Sequence, residues 1–260
     1  MLSVTSIQET LRPLHTVAAG SPHLRLDILS DAQPNVSRVE ITRAVFRGPG
    51  GGGDSVRIGL FAAIHGDEPS GSHALVHLLQ ALTGDPRLAE GYELFFYPIC
   101  NPSGFIKGRR ASDSGKDLNR EFWRNSSERE VVLLEQEIRS HAFHGLISLH
   151  TDDTSDWIYG FVRGAVLTRG LLEPALMAAE KVIARNRNNI IDGFAADNGI
   201  ISECYEGILT SPPELNPAPF EIILETPHSA PVAKQVEAFV VAIETVLREY
   251  QELLAFAANL

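Results

Sequence analysis

Cysteine is almost missing from this chain. Cys100 and Cys204 are the only two in 260 residues, too few for a disulfide framework at this length. Both are expected to be small buried hydrophobes. Basic residues are outnumbered, 22 Lys and Arg against 33 Asp and Glu, for a formal charge of −11. That balance argues against nucleic acid or an anionic membrane as a partner, although a local arginine cluster can still take a small anion. No apolar run approaches the roughly 20 residues of a membrane span. The stretch Met1–Thr16 has no basic region followed by an apolar core, so no secretory signal is expected. The expectation is a soluble, cytoplasmic protein. With 44% hydrophobic residues the whole chain can build one core, and a single domain over 1–260 is expected.

What is present is an alternation of strand and helix patterns. Leu24–Leu29 and Val36–Phe46 alternate apolar and polar residues, as half-buried strands do. Residues 48–53, rich in glycine, form a turn. They lack the Gly-Lys-Ser/Thr and the following helix of a phosphate loop. Val56–Ile64 is continuously apolar, as a strand buried on both faces should be. Ser70 or Ser72 is expected to cap a helix through Leu82, on which His73 and His77 are ordinary positions. Tyr92–Ile99 is the next strand, ended by a turn at Asn101-Pro102-Ser103-Gly104. Lys107–Asn125 is polar and expected as loop. Ser127 and Glu130 form a capping-box pattern before Val131, Leu134 and Ile138. Strands are expected at Leu146–Leu149 and from Trp157 to Val162, and a helix from Pro174 to about Arg187. Residues 192–219 look like an extended, site-lining loop. Ile222–Leu224 is a short strand, and Val232–Leu254 a long amphipathic helix. The alternation predicts an α/β domain with a largely parallel sheet, whose ligands bind beyond the carboxyl ends of the strands.

His65, His150 and Glu225 each fall at or just past such a strand end. His65 and Glu68 flank a strand-to-helix turn that contains Gly66, and can share one small cation. With His150 as third ligand, two histidines and one carboxylate leave the fourth position of a zinc ion open. That is the arrangement of a catalytic site, in which bound water has a pKa of about 7. Glu225 is then placed to take a proton from that water and return it to a leaving amine. Arg109, Arg110 and Arg120 can supply oxyanion stabilisation and a planar fork for a substrate carboxylate.

Asp117-Leu118-Asn119-Arg120-Glu121-Phe122 resembles the Asp-Leu-Asn-Arg-x-Phe block of the zinc carboxypeptidases (the metallocarboxypeptidase family). Asn101-Pro102-Ser103-Gly104 resembles that family's Asn-Pro-Asp-Gly turn, with Ser103 replacing the acid. Arg110 and Gly115 match the family spacing Arg-x-x-x-x-Gly-x-Asp-Leu-Asn-Arg. His65, Glu68, His150 and Glu225 follow in the family order, so the resemblance spans about residues 56–254. It implies one zinc ion per chain on His65, Glu68 and His150, with Glu225 as general acid/base and Arg110 polarising the carbonyl. Asn119 and Arg120 become the clamp on the substrate's terminal carboxylate. Arg109 is one residue off the matching position and is read as a neighbour. Tyr205 is the only tyrosine in the region where the family carries a mobile one, in surroundings that do not match. Asp152 and Asp153 correspond to no family consensus and are read as a turn or helix cap. The implied fold is an α/β/α sandwich with a mixed, about eight-stranded sheet.

The expected function is zinc-dependent hydrolysis of an amide beside a free carboxylate, on a small peptide or an N-acyl amino acid. The alternative is a deacylase of the related succinylglutamate desuccinylase/aspartoacylase branch, which typically carries an extra β domain after the catalytic glutamate. Only 35 residues follow Glu225, so the carboxypeptidase-like architecture is preferred. A non-enzymatic module binding peptide carboxylates is the third reading, opposed by the retention of all three ligands, the base and both arginines.

Overall fold

A computed structural model describes residues 6–31, 38–50 and 55–257. Its centre is four neighbouring parallel strands: β3 (Val56–Ala62), β4 (Tyr92–Tyr97), β5 (Gly145–Asp152) and β10 (Phe220–Pro227). The sheet continues on one side through β2 (Glu40–Arg47) and β1 (Leu24–Ser30), both antiparallel. On the other side follow β6 (Tyr159–Gly164) and the short strands β7 (Ile190–Ile191), β8 (Phe194–Asp197) and β9 (Ile200–Ile201). The order is β1-β2-β4-β3-β5-β10-β6-β9-β8-β7. The sheet is mixed as expected, with ten strands rather than eight. Three short strands, β7, β8 and β9, come from 190–201, where a loop was expected from residue 192 onward.

The side-chain period of two divides the sheet into faces. Ile58, Leu60, Leu94, Phe96, Ile147, Leu149, Ile222 and Leu224 join one buried cluster. It is closed by α1 (Ile7–Ala18), α2 (Pro69–Gly84), α5 (Thr168–Ala179) and α6 (Val232–Ala257). Burying each such side chain stabilises the fold by about 1.5–3 kcal/mol. On the opposite face Phe61, Phe95, Tyr97 and Leu146 pack under α4 (Arg129–His141). That cover does not extend over the carboxyl ends of β5 and β10. The same face there carries Ser148, His150, Ile223 and Glu225, alternating with the core residues.

Several boundaries differ from the sequence expectation. No helix was expected before Leu24, yet Ser6 and Glu9 form a reciprocal capping box that starts α1. Neither Ser70 nor Ser72 caps α2. Pro69 opens it with Glu68 at the cap position, and the Ser72 hydroxyl donates to the Pro98 carbonyl instead. Asn101-Pro102-Ser103-Gly104 is the start of a short helix, α3 (Pro102–Lys107), with Asn101 as its N-cap. The Ser127 box is not formed: α4 begins at Arg129 with no side-chain cap. Glu128 instead accepts from the Ser112 and Ser114 hydroxyls. Pro174 lies inside α5, which ends at Ala179 rather than near Arg187; residues 184–186 leave the helix to bond Ile158. The early part of the strand read at Val36–Phe46 and Gly51–Gly53 of the glycine turn lie outside the described residues. Cys100 is buried as expected, but Cys204 is half-exposed. No helix among the described residues is long and apolar enough to cross a membrane.

Candidate metal centre and active site

The sheet register builds the first row of the site. His150 on β5 is in register with Glu225 on β10, and Glu225 with Tyr159 on β6. Cross-strand partners share a face, so an imidazole, a carboxylate and a phenol stand side by side. Neither His150 nor Glu225 terminates its strand as expected, since each strand runs two residues further.

His65 and Glu68 arrive from the turn after β3. The turn begins at Ala63 in the left-handed region, φ 49°, a conformation that costs a non-glycine residue about 1–2 kcal/mol. The chain tightens again where the Glu68 amide donates to the His65 carbonyl at 3.2 Å. All three side chains are buried, and one ligand atom from each of His65, Glu68 and His150 lies within 4.8 Å of the others. Both imidazoles turn Nδ1 inward: His65 Nδ1 is 2.7 Å from Glu68 Oε1 and His150 Nδ1 is 3.1 Å from Glu68 Oε2. The two Nδ1 atoms are 3.3 Å apart. Their outer nitrogens are also occupied, His65 Nε2 by Asp117 Oδ1 at 3.1 Å and His150 Nε2 by the Ser148 hydroxyl at 3.0 Å. Outer partners of this kind fix ring orientation and tautomer in metal sites.

The electrostatics follow from this packing. Burial opposes the charge on His65, but Glu68 and Asp117 outweigh it and raise its pKa above the usual histidine value. Two acceptor-only carboxylates beside the ring favour its protonated form. His150 is lowered by burial despite Glu68. Glu68 is buried too, yet the two histidines hold it down to about 2. Glu225 is pushed well above the carboxylate range by burial, then by Glu68, Asp152 and Asp192. Two imidazole nitrogens and an ionised carboxylate are zinc-type donors, and a cation there would replace the inner proton of His65. Zinc affinity is therefore expected to fall as pH drops below the raised His65 pKa, by about tenfold per pH unit for one displaced proton. Competition titrations with a chromophoric chelator from pH 5.5 to 8.5 check this; a flat profile counts against the ligand set.

The centre forms part of the wall of a cavity of about 450 Å³. Arg110, Asn119, Arg120, Tyr205 and Glu225 line it as well. The Arg110 guanidinium pairs with Asp117 at 3.0 Å and lies 3.6 Å from Glu68. Arg109 points elsewhere, to Ser112 and Asp113, consistent with its reading as a neighbour. The Asn119 amide oxygen accepts from the Leu209 amide at 2.9 Å, so what it can offer a carboxylate is its amide nitrogen. Arg120 stacks 4.2 Å over the Tyr205 ring. Gly207 makes that approach possible: at φ 73° it sits so close to the Arg120 carbonyl that a Cβ would meet it at 2.3 Å.

Residues 54–180 match the family of the succinylglutamate desuccinylase/aspartoacylase catalytic domain. The match contains His65, Glu68, Arg110, Asn119, Arg120 and His150 and stops short of Tyr205 and Glu225. A Shewanella amazonensis protein assigned to the metallopeptidases superposes with a TM-score of 0.73 at 22% identity, over 94% of this chain and 93% of that one. The chain has a zinc carboxypeptidase-like fold, and just under half of it matches the desuccinylase/aspartoacylase catalytic family. A metallo-carboxypeptidase from Burkholderia cenocepacia has the same carboxypeptidase-like fold, with TM-score 0.72 and 15% identity over 95% of this chain and 70% of that one. So does the metallo-carboxypeptidase from Pseudomonas aeruginosa in complex with (2-guanidinoethylmercapto)succinic acid, at 0.68 and 18% over 95% and 70%. No curated protein matches the sequence.

Four residues of this candidate site had no role assigned from sequence. Asp117 was legible only as the first residue of a motif, and its contact with His65 shows what it does. Ser148 and Tyr159 are fixed by strand register, which a single sequence does not state. Asp192 belongs to the stretch expected to line the site, and does so. Asp152 accepts from the Thr154 amide at 2.8 Å, as a turn residue should, and also from the Tyr159 hydroxyl at 2.9 Å on the cavity wall.

Proposed function

We propose that this protein hydrolyses an amide bond beside a free carboxylate, with one zinc ion per chain held by His65, Glu68 and His150. The observation that carries the reading is the convergence of those three donors in the wall of the cavity that Arg110, Asn119, Arg120 and Glu225 also line. Bound there, zinc would supply Lewis acidity toward a carbonyl and toward water.

The chain's own residues do the rest. Glu225 takes the proton of the attacking water and delivers it to the departing amine; its raised pKa suits a group that must both accept and release. Arg110 lies within reach of Glu68 and is placed to face negative charge developing on the scissile carbonyl oxygen. Asn119 and Arg120 hold the carboxylate, and Tyr205 closes over it from the ring face it shares with Arg120. The Pseudomonas aeruginosa protein of similar fold carries a succinic acid derivative, which fits a pocket built for carboxylates.

The family match favours a second reading, deacylation of N-acyl amino acids. Asp67, Asp152, Asp153 and Asp192 also line the cavity, which disfavours a strongly anionic acyl group such as succinyl. Screening N-acyl amino acids against short peptides and muropeptides, with bound zinc quantified, separates the readings. Turnover of peptides ending in a free carboxylate supports the first, and turnover of N-acyl amino acids alone supports the second. Hydrolysis indifferent to that carboxylate contradicts both. With a verified substrate, Arg120→Ala is expected to raise KM, whereas Arg110→Ala is expected to lower kcat. Steady-state kinetics check this, and equal changes in both parameters at both positions would sink the division of labour.

A further inference from the structure

We propose that Asn101 is a positioning residue that sets Arg110 relative to the His65–Glu68 turn through its side-chain amide. This rests on the roles given above to the metal ligands and Arg110. Asn101 follows the end of β4 and is fully buried. Its backbone N–H donates to the carbonyl of Ala63, the strained residue of the turn, at 2.9 Å. Its Nδ2 donates twice, to the Ile64 carbonyl at 3.3 Å and to the Arg110 carbonyl at 3.2 Å. Its Oδ1 accepts from the Gly104 amide at 2.8 Å and from the Ser103 hydroxyl at 3.2 Å. One amide therefore ties three segments: the residue before a zinc ligand, the residue carrying the catalytic guanidinium, and the first turn of α3.

The neighbouring backbone reinforces the tie. The Gly66 amide donates to the same Arg110 carbonyl at 3.4 Å. Gly66 packs so tightly on α3 that a Cβ would lie 2.1 Å from the Gly104 backbone. The Arg110 side chain is exposed, and among the described residues its ion-pair partners are the carboxylates of Asp117 and Glu68. Its backbone anchor consequently decides where the guanidinium starts from. A helix cap needs only the acceptor oxygen, for which serine and aspartate serve as well as asparagine. The two donor contacts are surplus to capping, and they are the ones that reach the site.

Asn101→Ser keeps a capping oxygen and removes both donors. In the full-length protein it is expected to weaken zinc affinity, by no more than the roughly 10–100-fold that loss of a direct outer-shell partner costs, and to lower kcat by about tenfold with KM within twofold. In an Arg110→Ala background the same change is expected to cost less than a further twofold in kcat, because the two substitutions act through one group. A zinc affinity unchanged by Asn101→Ser, or a full additive loss in the Arg110→Ala background, overturns the proposal. Should Asn101→Ser fail to fold, Asn101→Thr, which also keeps a cap oxygen, lacks the amide donors and adds no charge, is read by the same criteria. The zinc titration needs no substrate, so a failure of the functional reading leaves that arm intact and is told apart from a failure of the positioning role.

Discussion

Glu225→Gln is expected to lower kcat on a verified substrate by about 10²–10⁴, the usual contribution of a positioned general base. Zinc content and KM should stay near wild type. The substitution preserves shape in a β10 position whose backbone is locked between β5 and β6. It removes only the ability to carry a proton. Glu225 neighbours His150 in register and is half-buried among like charges, Glu68 first and then Asp152 and Asp192. The sign of the pH dependence follows: a base works deprotonated, so wild-type activity should fall as pH drops through a pKa lying above the ordinary carboxylate range. Rate measurements with zinc counted in each preparation decide the point. A glutamine variant that retains zinc and turns over at the wild-type rate removes Glu225 from the mechanism.

Glu68→Ala should do something different, abolishing tight zinc binding and activity together. Glu68 touches both inward-facing imidazole nitrogens, and it also accepts from the Thr151 amide at 3.0 Å. Removing it deletes the negative charge of the donor set and leaves two buried imidazoles facing each other 3.3 Å apart. The loss of affinity should exceed the roughly 10–100-fold expected when only an outer-shell partner is removed. Equilibrium dialysis with zinc, beside circular dichroism to show that the fold survives, measures it. Undiminished zinc binding by Glu68→Ala would place the metal elsewhere.

The two substitutions probe parts of the site that differed in how far sequence could reveal them. His65, Glu68 and His150 were legible because apolar strands stopping at metal-type residues leave a pattern, and the structure brings all three together. Arg110, Asn119 and Arg120 were legible through motif spacing, and all line the cavity. The face-by-face arrangement was not legible. Whether Ser148 or Tyr159 meets the site depends on which strands pair and in what register, and β10 pairs with β5, some 70 residues earlier in the chain. Short pairings such as β8 with β9 were hidden for a related reason. Four residues or fewer show no period, and residues 192–201 are dominated by small and turn-forming types. Capping signals misled where a longer-range bond competed. Ser72 finds the Pro98 carbonyl before it can serve a helix end, and α4 starts at Arg129 with Glu128, not Ser127, at the cap position. Asn101 shows the reverse, a turn by composition that becomes an N-cap because its side-chain oxygen accepts from the Gly104 amide.

The most direct test is anomalous diffraction at the zinc edge from crystals of the zinc-loaded protein. One strong peak per chain is expected, about 2.0–2.2 Å from His65 Nδ1, His150 Nδ1 and a Glu68 carboxylate oxygen, with no fourth protein ligand. A peak on other residues, or a site in which any of the three donors stays beyond bonding distance, would contradict the account.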